Sequence, residues 1–343
     1  MTAGIAARLG GAVAVQTWPA PEALLARGGP GPLLDQLALA LIEASAVHLV
    51  FGVRQSDQRL SLSVAEQNIP FVLALGNPRE VVLDAAEAWN VDLPSATRAV
   101  ASSCSSFLRY VAAPGAVVLR ADQASSDPSG AVRSIASHFG IELDDVAVET
   151  VLRKAGNPAR AGADQRWNAL PQEARRLIEG ALDAYARFFA GEALGEIVWT
   201  RELFTLLSDP TKRPTEPIEL AGDARCLLYG PYIDLAPGSW KVRVVLGFSD
   251  QAAGRIFQFI AYMAHQELAS TTLQPNLGGI YVAEINFSIG ERDGKGIDLR
   301  VLVLSNDTAG QLAFGHVVAS PISVNDLRMA SDTRESFMSV LDL

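Results

Sequence analysis

From Ile218 onward the apolar residues of this chain recur at every second position, in short runs broken by Gly, Pro, Asn and Asp. A two-residue period is the signature of a β-strand, because successive side chains leave a strand on opposite faces. In the run Ser239 to Phe248, Trp240, Val242, Val244 and Leu246 alternate with Lys241, Arg243 and Val245. Such a pattern excludes a helical bundle and predicts an all-β sandwich, jelly-roll-like in its strand succession, over residues 218–325. The expected strands are Ile218 to Leu220, Leu227 to Leu228, Ser239 to Phe248, Arg255 to His265, Thr271 to Leu273, Gly279 to Ile289, Ile297 to Val303 and Gln311 to Ser320. Asp293-Gly294 and Asn306-Asp307 fit hairpin turns rather than calcium loops.

The preceding half is written differently. Short apolar runs at Gly11 to Gln16, Val47 to Val53, Pro70 to Leu75 and Ala116 to Arg120 alternate with helical patterns, which predicts an α/β domain with a mainly parallel sheet over residues 1–207. The predicted helices are Leu33 to Ala44, Ser61 to Gln67, Arg79 to Trp89, Pro94 to Val111, Ser129 to Phe139 and Leu170 to Ala190. Three prolines among polar residues in Asp209 to Pro217 predict a semi-rigid linker over 208–217, and residues 326–343 read as a polar tail. With 343 residues and 49% apolar content there is material for two cores.

Charge and cysteine content narrow the functional classes. A net charge of −10 argues against nucleic acid, anionic membrane surfaces and non-specific binding to sulfated polymers, all of which need clustered Lys and Arg. Cys104 and Cys226 are far apart in unlike contexts, so neither a disulfide framework nor a zinc motif is present, and a reduced, cytoplasmic compartment is expected. Met1 to Val15 reads as a lead-in and first strand rather than a signal peptide, and no run reaches the roughly 20 apolar residues of a spanning helix. Membrane association is therefore expected only through partners. Gly28 to Gly31 is interrupted by Pro30, and Ser102 to Ser106 lies inside a helical pattern, so neither reads as a phosphate loop or a nucleophile. Of the four histidines, His48 reads as a packing or edge residue before an apolar strand, His138 lies on an amphipathic helix, and His265 and His316 fall in the β-domain.

The stretch Ile69 to Asp84, with Gly115 to Asp122, Ser126 to Pro128 and Ala131 to Ile141, resembles PAPS-dependent sulfotransferases over about half the chain. The resemblance implies a parallel-sheet, P-loop-like fold. It also implies an arginine and a serine on the donor's 3′-phosphate, and this frame places Gly76 and Asp84 there. The loop expected to cradle the 5′-phosphosulfate falls at Thr17 to Glu22, where two prolines remove backbone donors and Glu22 adds a negative charge. The expectation is a domain without cofactor or catalytic residues. The alternative is an active carbohydrate sulfotransferase whose PAPS site is rebuilt from Arg54, Ser56, Arg59 and Arg79.

Leu228 to Arg243, with its Gly230-Pro231-Tyr232 and Pro237-Gly238 steps, resembles a β-sandwich module that accompanies bacterial polysaccharide-synthesis proteins. Carbohydrate sites combine aromatic faces with planar hydrogen-bonding side chains, and Tyr229, Tyr232, Trp240, Arg243 and Arg300 supply those types. Trp240 fits a core position and Arg300 a structural ion pair equally well. Together the two resemblances imply a scaffold, regulator or glycan-recognition component of exopolysaccharide or cell-surface polysaccharide synthesis, partnered by carbohydrate or by the synthesis proteins. A protein–protein interaction module is the remaining expectation.

Overall fold

The computed structural model describes residues 13–18, 48–53, 70–111, 113, 115–155, 163–290, 296–306 and 309–322. Two compact units comprise these: Met1–Glu80 with Ser106–Arg166, and Val81–Ser105 with Trp167–Leu343. Expected helices at Leu33 to Ala44 and Ser61 to Gln67, the Asp293-Gly294 turn and the 326–343 tail lie outside the described residues.

In the first unit, β1 (Val13–Trp18) pairs in parallel with β2 (His48–Val53), and β3 (Phe71–Leu75) pairs in parallel with β4 (Ala116–Arg120). Among the described residues these remain separate two-stranded sheets, so the continuous parallel sheet of a P-loop-like layer is not shown. The expected strand–helix alternation is present: α1 (Pro78–Trp89) and α2 (Leu93–Val111) lie between β3 and β4, and both helices cross the boundary between the two units. Next come α3 (Ala121–Ser126), α4 (Pro128–His138) and α5 (Asp145–Ala155). α4 starts where the sequence directs it. Pro128 occupies the first turn, and the Asp127 carboxylate accepts from the Gly130 amide at 2.8 Å. Val132 of α4 packs with Val148 and Val151 of α5 in a small core closed by Leu143 and Leu152.

The second unit holds α6 (Ala163–Ala169) in part, α7 (Gln172–Phe189) and ten strands. These are β5 (Ile197–Thr200), β6 (Thr205–Leu206), β7 (Ile218–Glu219), β8 (Arg225–Ile233) and β9 (Gly238–Phe248). The remainder are β10 (Phe257–Met263), β11 (Gln266–Leu273), β12 (Gly279–Ile289), β13 (Ile297–Val303) and β14 (Gln311–Pro321). One antiparallel sheet has the order β12-β9-β14-β5, with β7 also on β14; the other has the order β11-β10-β13-β8-β6. The alternation read from the sequence is the core of this sandwich. Trp240, Val242, Val244, Leu246 and Phe248 of β9 point inward, and Phe248 meets Phe257 of the other sheet at a ring separation of 4.5 Å. Phe204 and Phe314 make a second contact between rings at 4.8 Å.

The sandwich reaches further back along the chain than the period-two pattern indicates. β5 and β6 precede the expected linker and each joins a sheet, β5 beside β14 and β6 beside β8. Residues 208–217 are not a spacer but a turn folded onto β6. The Leu206 amide donates to the Lys212 carbonyl, Asp209 accepts from the Thr211 amide and hydroxyl, and Pro214 is buried. α7 covers β5 from outside, so closely that a Cβ on Gly180 would stand 2.9 Å from the Val198 carbonyl oxygen. Among the described residues no helix is long and apolar enough to cross a membrane.

Candidate functional site

Strand β8 was expected to span only Leu227 to Leu228. It continues to Ile233. Gly230 approaches the Leu203 carbonyl so closely that a Cβ would sit 3.0 Å from it, and next to Pro231, which has no N–H to give to the ladder, β8 bulges: Ile297 pairs with Ile233 and Asp298 with Pro231, which leaves Tyr232 as the extra residue. The continuation carries Tyr229 and Tyr232 alongside β13, the middle strand of the five.

Two neighbouring cross-strand rows then form one outward-facing surface. Tyr229, Arg300, Ile260 and Ser270 are successive partners in one row; Pro231, Asp298, Tyr262 and Glu267 are successive partners in the next. The rings of Tyr229 and Tyr232 meet edge-on with centroids 6.0 Å apart, and the Arg300 guanidinium lies 4.8 Å over the centroid of Tyr262. Tyr232 is 48% exposed and offers the open ring of the group.

Asp298 sits beneath these side chains and is only 6% exposed. An arginine fork ordinarily engages both oxygens of a carboxylate. Here Arg300 gives Nε at 2.9 Å and Nη2 at 2.8 Å to the same oxygen, Oδ2. Oδ1 is buried and accepts no hydrogen bond, and among the described residues Asp298 is the only carboxylate in that condition. A buried acceptor without a partner is unfavourable by about 1–3 kcal/mol, and the donor that stands nearest to this carboxylate is the Tyr232 hydroxyl. The Tyr232 phenol is pushed up to about 12, by burial first and then by the neighbouring Asp298 carboxylate. It stays a neutral hydroxyl throughout the physiological range.

Backbone conformation marks the same end of the sheet. Of the four non-glycine residues with left-handed φ among the described residues, three border this cluster: Tyr232 at φ 60°, Ala264 at φ 51° and His265 at φ 70°. The left-handed region disfavours any residue with a Cβ by roughly 1–2 kcal/mol, and a tyrosine there needs support. Gly296 provides it. A Cβ on Gly296 would stand 2.6 Å from the Tyr232 carbonyl carbon and oxygen, so its bare backbone is what lets that turn close.

The remaining sequence candidates lie elsewhere. Trp240 is 2% exposed, with its Nε1 donating to the Ala236 carbonyl at 2.8 Å, so the core account holds for it and it offers no stacking face. Arg243 projects from the other sheet, where its Nη2 meets Glu196 at 2.5 Å while Ser320 donates to the same glutamate oxygen. Asp298 and Tyr262 escaped sequence reasoning. Their only signal is the outward phase of their strands opposite Pro231 and Glu267, and that pairing cannot be read without the register. Arg54, Ser56 and Arg59 lie outside the described residues. Arg79 stands in the first turn of α1, its amide donating to Asn77 Oδ1, and Asp84 follows on the same helix. Burial pushes the Cys104 thiol up to about 12 and raises that of Cys226, which makes both poor nucleophiles.

Fold and site together define a two-sheet antiparallel β-sandwich with an aromatic and polar patch on one outer face. No family model matches the chain, sulfotransferase or otherwise, and no curated protein matches it. Solved structures similar to it include TmCBM61 in complex with β-1,4-galactotriose (13% identity over 39% of this chain and 94% of that one, TM-score 0.25). The CBM36-1 domain of a multidomain xylanase from the hindgut metagenome of Trinervitermes trinervoides is 12% identical over 38% of this chain and 99% of that one, with TM-score 0.25. An arabinose-bound MgGH51 α-L-arabinofuranosidase is 11% identical, with TM-score 0.25 over 31% of this chain, and the match spans 19% of that enzyme's length. Likenesses of this strength carry no argument about what this chain binds.

Proposed function

We propose that the outer face of the five-stranded sheet around Asp298 is a carbohydrate-recognition site. On this reading the chain is a non-catalytic glycan-recognition component of bacterial exopolysaccharide or cell-surface polysaccharide synthesis, acting on the cytoplasmic side. The observation that carries the reading is the grouping of Tyr229, Tyr232 and Arg300 on one face, above a buried carboxylate oxygen that lacks a partner. An exposed tyrosine ring stacks on the C–H face of a sugar, while a carboxylate and a guanidinium fix hydroxyls. Tyr232→Ala is expected to abolish retardation of the protein in polysaccharide-containing native gels with no loss of folded structure by circular dichroism. Unchanged retardation would sink the assignment of this face.

The alternative, an active carbohydrate sulfotransferase holding PAPS through Arg54, Ser56, Arg59 and Arg79, draws on the strand–turn–helix unit from β3 into α1, with Arg79 in the first helical turn. The described residues do not suit that donor. Asp84 stands where the resemblance requires a serine on the 3′-phosphate, and a carboxylate there repels it. Calorimetric titration with the nucleotide product PAP separates the two readings: micromolar affinity that Arg79→Ala removes would restore the enzyme.

A further inference from the structure

Resting on the carbohydrate reading, we infer that the ligand is an extended oligosaccharide chain laid across the strands from Tyr232 to Glu267, and that Asp298 is a positioning residue that holds Tyr232 for it from below. Accessibility decides which groups a sugar can reach. Asp298 Oδ1 is sealed from solvent, so no hydroxyl from outside meets it. The groups that do reach the surface include the Tyr232 ring, the Arg300 guanidinium and the exposed Glu267 carboxylate. Bonds to Asp298 engage only two of the five N–H groups of the Arg300 guanidinium, which leaves donors for ligand oxygens, while Glu267 supplies an accessible acceptor. Pro231, Asp298, Tyr262 and Glu267 stand on four successive strands, three steps of about 4.8 Å, so roughly 14 Å separates the Tyr232 end of the row from the Glu267 end. One sugar ring is too short to meet both ends. A chain of linked rings, crossing the strands with Arg300 under its middle, meets all three groups.

Stacking on a sugar needs a ring that is already set, and Tyr232 is set from two sides. Its backbone is the extra residue of the β8 bulge, at φ 60° and close against Gly296. At the other end its hydroxyl faces the Asp298 carboxylate as a hydrogen-bond partner. Both Arg300 bonds fall on Oδ2, so the carboxylate keeps acceptor capacity for that hydroxyl, inside the protein and out of a ligand's reach. One buried carboxylate thereby orients the ring and the guanidinium together.

The full-length protein is run in native gels containing galactan, mannan or xylan, with the monosaccharide and the tetrasaccharide of each polymer as soluble competitors. Retardation by at least one polymer is expected, released by the tetrasaccharide at a concentration about tenfold or more below that of the monosaccharide, and weakened about threefold or more in Glu267→Ala. Equal release by the two competitors, or retardation unchanged in Glu267→Ala, overturns the extended chain and leaves carbohydrate recognition standing. Tyr232→Phe keeps the ring and loses the hydroxyl, and about tenfold weaker retardation is expected. Asp298→Ala should then cost less binding in the Tyr232→Phe background than in the parent, because the two residues act through one bond. Additive losses would put the hydroxyl on the ligand and overturn the positioning role. Should Asp298→Ala not fold, the free protein decides: Tyr232→Phe lowers the midpoint of chemical unfolding if the hydroxyl is bonded to Asp298, and an unchanged midpoint overturns that bond. No retardation by any polymer overturns the chain ligand together with the reading beneath it.

Discussion

The two outer faces of the sandwich each carry an arginine–carboxylate pair, and the pairs are built in opposite ways. On the β9 side, Glu196 accepts from both Arg243 and Ser320 and its side chain is 57% exposed, so water reaches whatever the protein leaves unpaired. On the β13 side, both bonds from Arg300 converge on one oxygen of a carboxylate that is 9% exposed, and the second oxygen has nothing. The first arrangement is a solvated ion pair, worth little to stability and offering nothing to a ligand. The second leaves a desolvated acceptor under an open aromatic ring. A candidate arginine is therefore informative only through the state of its partner carboxylate.

Arg300→Ala should separate the faces most sharply. It strands a buried carboxylate, and a loss of about 2–4 kcal/mol in chemical denaturation is expected; a loss below about 1 kcal/mol would place Asp298 in solvent and erase the contrast. Gly296→Ala comes next. Its Cβ would collide with the backbone of Tyr232, so a loss of about 1–3 kcal/mol is expected, with polysaccharide binding lost in whatever fraction remains folded. Tyr232 tests the strain more finely. Both Tyr232→Ala and Tyr232→Gly remove the ring, yet the glycine accepts φ 60° without penalty, so Gly should be the more stable of the two by about 1 kcal/mol while neither binds. Equal stability would show that the turn is not held in the left-handed region. Smallest of all, Arg243→Ala should change stability by about 0.5 kcal/mol or less and leave binding untouched, as measured by the same denaturation and gel experiments. A binding defect there would move the site to the other face.

Much of the sandwich was legible before the structure. β9, β12, β13 and β14 fall within a residue of their expected limits at either end, and in β9 and β12 the reason is a clean alternation between buried and more exposed positions. Short strands were not. β5 and β6 have too few residues to show a period, and β8 loses its period at bulges of its own, where Leu227 and Tyr232 are extra residues against β13. The linker was misread for a related reason. Proline content alone predicts a stiff spacer, whereas the Asp209 turn and the burial of Pro214 arise only once β6 is in place.

The site divides along the same line. Residue chemistry was enough to single out Tyr229, Tyr232 and Arg300, since exposed aromatics and arginines between alternating apolar residues are visible in one dimension. The sequence could also assert that one half of the chain is a β-sandwich, because a period of two has no other compact solution. Register, which no single strand encodes, decided that Trp240 belongs to the core, that Arg243 faces away on the other sheet, and that Tyr262 and Asp298 complete the cluster. Long-range pairing between strands places these groups within reach of one another, and only folding brings those strands together.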